Sequence, residues 1–147
     1  MKGDHLSERR GRPGLYGMAA LLSLGGLADS IYLTVTHLTG ENVICLASGG
    51  CNEVLGSAYA SIGKFPLASF GALGYFAAFS CATLAAFGYW RAQTFLTIVV
   101  AAMLAATLYL LFVQAFVLHA FCDYCLLSAG LTLSLSVLVV TSYFARK

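Results

Sequence analysis

Between residues 65 and 90 this chain carries no charged side chain at all, and three more of its segments are nearly as bare. A helix rises about 1.5 Å per residue, so roughly 20 apolar residues cross the ~30 Å hydrocarbon layer of a bilayer. Four runs meet that length, at about 15–38, 66–90, 94–118 and 121–144. Inside lipid a backbone N–H finds no water, so each run must satisfy itself as a helix. The expected fold is therefore all-α, an integral membrane four-helix transmembrane bundle. Composition agrees: 60% of the 147 residues are hydrophobic and 10% charged, where a soluble domain carries about a quarter charged. The net charge of +2 resides mostly at the ends, which gives no reason to expect a nucleic-acid partner.

Residues 1–14 are polar, Gly-rich and basic, with Lys2, Arg9, Arg10 and Arg12, and read as a short disordered tail before a membrane domain spanning 15–147. A cleaved signal peptide would end near Ala28, yet the apolar pattern continues through Ile31, Tyr32, Leu33 and Val35. Asp29 interrupts the first span, where a bare charge costs on the order of 3 kcal/mol at mid-bilayer. It should face the bundle interior, as a proton acceptor, as an anchor for the outer loop, or as a hydrogen-bonded structural Asp. Gln114, the strongly polar side chain of the third span, reads as a helix-to-helix hydrogen bond. Lone Cys81 reads as a small buried apolar residue.

Residues 40–65 form the one substantial loop and contain Cys45 and Cys51, with Gly49 and Gly50 making the backbone pliable enough for the sulfurs to meet or part. Beyond them Val54, Leu55, Ala58, Tyr59 and Ile62 recur at helical spacing. This pattern predicts a short amphipathic helix capping the outer face. Pro66 then suits the first turn of the second span, where its missing N–H is harmless. Gly71, Gly74, Ala68, Ala72, Ala77 and Ala78 permit close helix packing there. Tyr89, Trp90 and Arg91 mark a membrane interface.

A second cysteine pair opens the last span in His119-Ala-Phe-Cys122-Asp-Tyr-Cys125. Cysteines three apart at a helix start lie one turn from each other, and the orphan N–H groups there favour thiolate over thiol. This placement has Cys122 at the rim meeting water and Cys125 one turn deeper meeting lipid. Four spans put both termini and Arg91 on one side with seven of the eight Lys and Arg residues, leaving Lys64 with the cysteines. The positive-inside rule then places both termini in the cytoplasm and both cysteine pairs outside, where disulfides persist. A loop disulfide there is open to attack by the thiolate of a soluble partner, and the loop dithiol can in turn attack Cys122–Cys125. With Cys125 against lipid, the natural acceptor is a lipid-soluble quinone, for which Phe70, Phe112 and Phe116 are candidate pocket residues.

The ordered set of a spaced loop pair, Gly50-Cys51-Asn-Glu-Val-Leu-Gly-Ser57, Phe65-Pro-Leu with Gly71 and Gly74-Tyr75, and Phe121-Cys122-Asp-Tyr-Cys125 resembles the bacterial form of the vitamin K epoxide reductase family over about residues 15–145. The resemblance implies a four-helix core around a quinone, ubiquinone or menaquinone (vitamin K type), in a bacterial cytoplasmic membrane. It makes Cys45 the residue that takes electrons from a soluble thioredoxin-like (DsbA-type) partner, Cys51 the relay to Cys122, and Cys125 the residue that reacts with the quinone. Ser57 matches the family's loop serine near the active site. Since the sequence stops at Lys147, the partner is expected to be a separate protein. Two departures concern the quinone site: Ala129 stands where vertebrate enzymes have a tyrosine, and Leu67 near the place of a polar asparagine. Both favour a quinone over an epoxide. A DsbB-type quinone reductase shares the chemistry, but there the C-x-x-C comes in the first outer loop, the reverse of the order here. A zinc site on His119, Cys122 and Cys125 is the non-catalytic alternative, and a Gly-rich loop at a membrane rim suits exchange better.

Overall fold

The computed structural model describes residues 13–41, 56, 58 and 61–144. Helix α1 spans Pro13–Thr39, α2 Leu67–Ala86, α3 Trp90–Phe112 continued by a π-helical segment Val113–Leu118, and α4 Asp123–Phe144. Among the described residues all four helices are long and apolar enough to cross a membrane, over Gly14–Thr39, Leu67–Ala86, Trp90–Leu118 and Asp123–Phe144. The protein is an all-α, four-span membrane bundle, and its boundaries differ from the sequence reading by a few residues. Proline at the head of α1 draws the helix into the stretch expected as tail, because its fixed φ suits a first helical position. Pro66 instead precedes α2 as its N-cap, with φ −67° and ψ 140°. The second span closes early, since Gly88 takes φ 100° and donates its N–H to the Ala85 carbonyl at 3.0 Å. A side chain at that left-handed position would be strained, and the turn leads straight into α3 at Trp90.

Ahead of α2, the strands β1 (Ser61–Ile62) and β2 (Phe65–Pro66) pair antiparallel, Ser61 opposite Pro66 and Ile62 opposite Phe65. Ile62 therefore belongs to a tight hairpin and not to the helix expected to cap the outer face. Exposed Gly56 and Ala58 apart, the remainder of that expected helix lies outside the described residues.

Each helix packs on its two chain neighbours, with α4 closing the ring against α1 and the α1–α2 contact the most extensive. The interior is built from small side chains, Ala19, Ala78, Ala82, Ala85 and Ala92, around Leu96, Val100 and Leu135. Large ones such as Leu21, Leu73, Phe76, Phe95 and Val137 point outward. This inverts a soluble core for a physical reason: lipid tails are as apolar as leucine, so helix association depends on close approach, which small residues allow.

One aromatic crosses this interior. Tyr75 on α2 is 1% exposed, and its hydroxyl donates to the Ser128 carbonyl at 2.9 Å. It also shares hydrogen bonds with the side-chain oxygens of Ser128 (2.8 Å) and Thr132 (2.9 Å) on α4. The ring lies over Gly26 of α1, where a Cβ would fall within the ring atoms. Gly25, by contrast, faces open space. Gly26→Ala is expected to destabilise the detergent-solubilised protein by about 1–3 kcal/mol through overpacking. Gly25→Ala should be neutral or mildly stabilising, because alanine is the better helix former. Thermal unfolding of the two variants side by side checks the difference.

Candidate functional site

The site is assembled where α3 ends. Inside α3 the backbone switches to π-helical spacing at Val113–Leu118, and His119 then adopts φ 50°, a left-handed position that reverses the chain. Two bonds to one residue hold this reversal. The Gln114 carbonyl accepts the Ala120 N–H at 3.2 Å, and the Gln114 side-chain Oε1 accepts the Cys122 N–H at 3.1 Å. Cys122 then caps α4, its carbonyl accepting the Leu126 N–H at 2.9 Å. Gln114 was expected to tie helix to helix. It ties α3 to the backbone of Cys122, and a lone amide in an apolar span was the signal for it.

Cys122 is 0% exposed, packed with Leu33 and Ala120, while Cys125 is half-buried beside them. The expectation that Cys122 meets water is thereby corrected. Helix α4 starts at Asp123, so Cys122 sits in the preceding turn, folded under α1, and Cys125 is the more open of the pair. The two are free thiols hydrogen-bonded to each other. The Cys125 thiol, donating to the Cys122 sulfur, is the main influence lowering the Cys122 pKa from 9.0 to about 7, assisted by the Cys125 and Tyr124 backbone N–H groups and opposed by burial. Those N–H groups belong to the first turn of α4, so the same geometry that begins the helix stabilises a thiolate.

Cys125 also lines a cavity enclosed by all four helices, with about 880 Å³ of empty space counting the part open to the outside. Small-molecule sites are mostly apolar with a few polar groups. The walls here fit that description: Leu33, Leu67, Leu110, Leu111 and Ala129 are apolar, and Asp29, Gln114 and Ser128 are polar. Leu67 and Ala129 both line this cavity. Phe70, Phe112 and Phe116 do not: all three are exposed on the outer surface, and Phe112 stacks on Phe116 with centroids 5.0 Å apart. Cys81 is partly buried against the main core, away from the pair, as a lone cysteine would be. Cys45, Cys51 and Ser57 lie outside the described residues. Among the described residues no three His, Cys, Asp or Glu side chains gather to hold a metal, so His119 does not complete a site with Cys122 and Cys125.

Asp29 faces inward as expected and is 9% exposed, and among the described residues its Oδ2 has no hydrogen-bond partner. Its signal in the sequence was plain, but not which side chains it meets.

Comparison with known proteins adds one result. The profile of the vitamin K epoxide reductase family matches residues 18–140, most of the chain and all four helices in large part. No curated protein matches the chain.

Thiolate stabilisation has a measurable consequence. Alkylation of reduced Cys122 by a small permeant reagent should rise with pH and reach half its plateau near pH 7, because the thiolate fraction of a lowered pKa builds up there. In Cys125→Ala the donating thiol is lost, and the midpoint should move upward toward the ordinary thiol value. Mass-spectrometric rates across about pH 5–10 read both.

Proposed function

From a chain that belongs to the vitamin K epoxide reductase family, whose members are quinone-dependent thiol–disulfide oxidoreductases, we propose a specific electron path. Family membership makes this protein such an enzyme, a multi-pass membrane oxidoreductase that uses a quinone and a thiol redox partner. The proposed path starts at a soluble thioredoxin-like protein of DsbA type on the outer face of a bacterial cytoplasmic membrane. It passes through Cys45 and Cys51 to Cys122 and Cys125, and the net result is formation of disulfides in exported proteins.

The observation that carries this reading is the position of the inner pair, one sulfur stabilised as a thiolate and the other lining a largely apolar cavity among the four helices. In the proposed relay the partner's thiolate attacks the Cys45–Cys51 disulfide. The freed Cys51 thiolate attacks Cys122, displacing Cys125. The partner's second thiolate then closes the partner's own disulfide and releases Cys45, the freed Cys45 attacks Cys51, and Cys122 departs. A leaving thiol of low pKa leaves faster, and Cys122 at about 7 is such a group. A bound quinone would supply the two-electron oxidant that returns the inner pair to a disulfide. Leu33, Leu67, Leu110, Leu111 and Ala129 would enclose it, and Gln114 and Ser128 offer polar contacts. Leu67 and Ala129 provide no hydrogen-bond donor from their side chains, which favours ubiquinone or menaquinone over an epoxide. Ser57 belongs to the same proposed site through the loop.

Cys45→Ala separates the two halves of the path. Quinone reduction driven by a reduced thioredoxin-like donor should fall by on the order of 10²-fold or more, as loss of a covalent relay would predict. A small permeant dithiol, which can reduce Cys122–Cys125 directly, should still support turnover close to wild type. Equal loss with both donors would contradict the relay.

A further inference from the structure

Oxidising a dithiol to a disulfide releases two protons, and reducing a quinone to a quinol consumes two. In a cavity walled by leucine and alanine these protons need a carrier among the side chains. Among the described residues the only carboxyl lining that cavity is Asp29. It is buried, and among the same residues its Oδ2 is left without a partner, an arrangement that polar groups in an apolar interior rarely show without a reason. Cys125 lines the same cavity, and Asp29 is within electrostatic reach of Cys122 and Cys125 as well as of Tyr75 and Tyr124. Ser30 and His37 of its own helix, and Gln114 and Ser128 from α3 and α4, are the other polar side chains on the wall near it, together with Thr107. Along α1, Leu33 packs on Cys122 and Gly26 seats Tyr75, so Asp29 occupies the turn between the thiols and the buried phenol.

We propose that Asp29 is the proton-transfer group of the membrane half-reaction, giving its carboxyl proton to a quinone oxygen and recovering one from the Cys125 thiol. This rests on the proposed quinone reductase reading and assigns a residue to it. The balance is complete. The S–S bond forms between Cys122 and Cys125 as two electrons pass to the quinone. The Cys125 proton goes to Asp29, whose own proton goes to one quinone oxygen. The proton of Cys122 is released to bulk solvent when its thiolate forms, and the second quinone oxygen takes one proton from bulk solvent. Two thiols and a quinone become a disulfide and a quinol.

Asp29→Asn keeps the shape and removes the exchangeable acid. With a short-chain benzoquinone and a permeant dithiol, its turnover should fall on the order of 10²-fold, the usual contribution of a positioned acid–base group. The loss should lie in kcat more than KM. Reduction of Cys122–Cys125 by the dithiol alone, followed by thiol trapping without quinone, should keep its wild-type rate. Asp29→Glu should restore most of the turnover. A further readout needs no turnover: the infrared difference spectrum between disulfide and dithiol protein should show a carboxyl C=O band that shifts in D₂O and vanishes in Asp29→Asn. Unchanged turnover in Asp29→Asn, or no carboxyl band in the wild type, would overturn the role of Asp29 and leave the quinone reductase reading standing. Loss of dithiol-driven reduction equal to the loss of turnover would reduce Asp29 to a structural residue. Absence of quinone reduction by the wild type itself would overturn that reading, and this assignment with it.

Discussion

Everything at the reactive end depends on one hydrogen bond, from the Cys122 N–H to the side-chain oxygen of Gln114. In hydrocarbon an unpaired backbone group costs several kcal/mol, so a chain can reverse direction at membrane depth only if a neighbour supplies the missing partners. Gln114 supplies two of them, one from its carbonyl and one from its amide. The local widening to π-helical spacing is what brings its side chain around to do so. Such a turn lets α4 start immediately beyond the reversal, with the Tyr124 and Cys125 N–H groups directed at the Cys122 sulfur. Stability of the backbone and reactivity of the thiol thus have one cause.

The division of labour between the two sulfurs follows. Cys122, covered by Leu33 and Ala120, is favoured as a thiolate by the donors around it, while Cys125 gives up its own hydrogen to that bond and faces the cavity. Membership in the vitamin K epoxide reductase family makes a quinone the oxidant, and this cavity is its proposed place. The packing of small residues inside and large ones outside says how it can exist at all. Alanines draw the helices close along most of their length, and the cavity opens where larger side chains, Leu33, Leu110 and Leu111, hold them apart.

Much of this was legible in the sequence, for physical reasons that also set the limit. The spans and the C-x-x-C at the head of the last one stood out because bare apolar runs of that length have few alternatives. What could not be read was which face each helix turns inward. A helix apolar all round carries no stripe to orient it, so Phe70, Phe112 and Phe116 seemed as eligible for the interior as Leu110 or Leu111, and they face outward. The polar residues were the exception. Asp29 and Gln114 point inward as their cost in lipid requires. Yet the burial of Cys122 escaped the reading, because it depends on a reversal at His119 that no periodicity announces. The hairpin at Ile62 was missed for a similar reason, since five apolar positions at helical spacing fit a short strand pair equally well at their end.

The seat of Tyr75 over Gly26 reaches further than its hydrogen bonds. A bundle of alanine-faced helices is smooth, and smooth rods slide. Moving α1 by one turn would bring Leu22 or Ser30 under the ring in place of the glycine, and neither leaves room for it. The phenol therefore works as a detent that indexes α1 vertically against α2 and α4. Since Asp29 and Leu33 ride on the same rod, the notch at residue 26 also sets the height at which a carboxyl and a lid residue stand relative to the sulfurs.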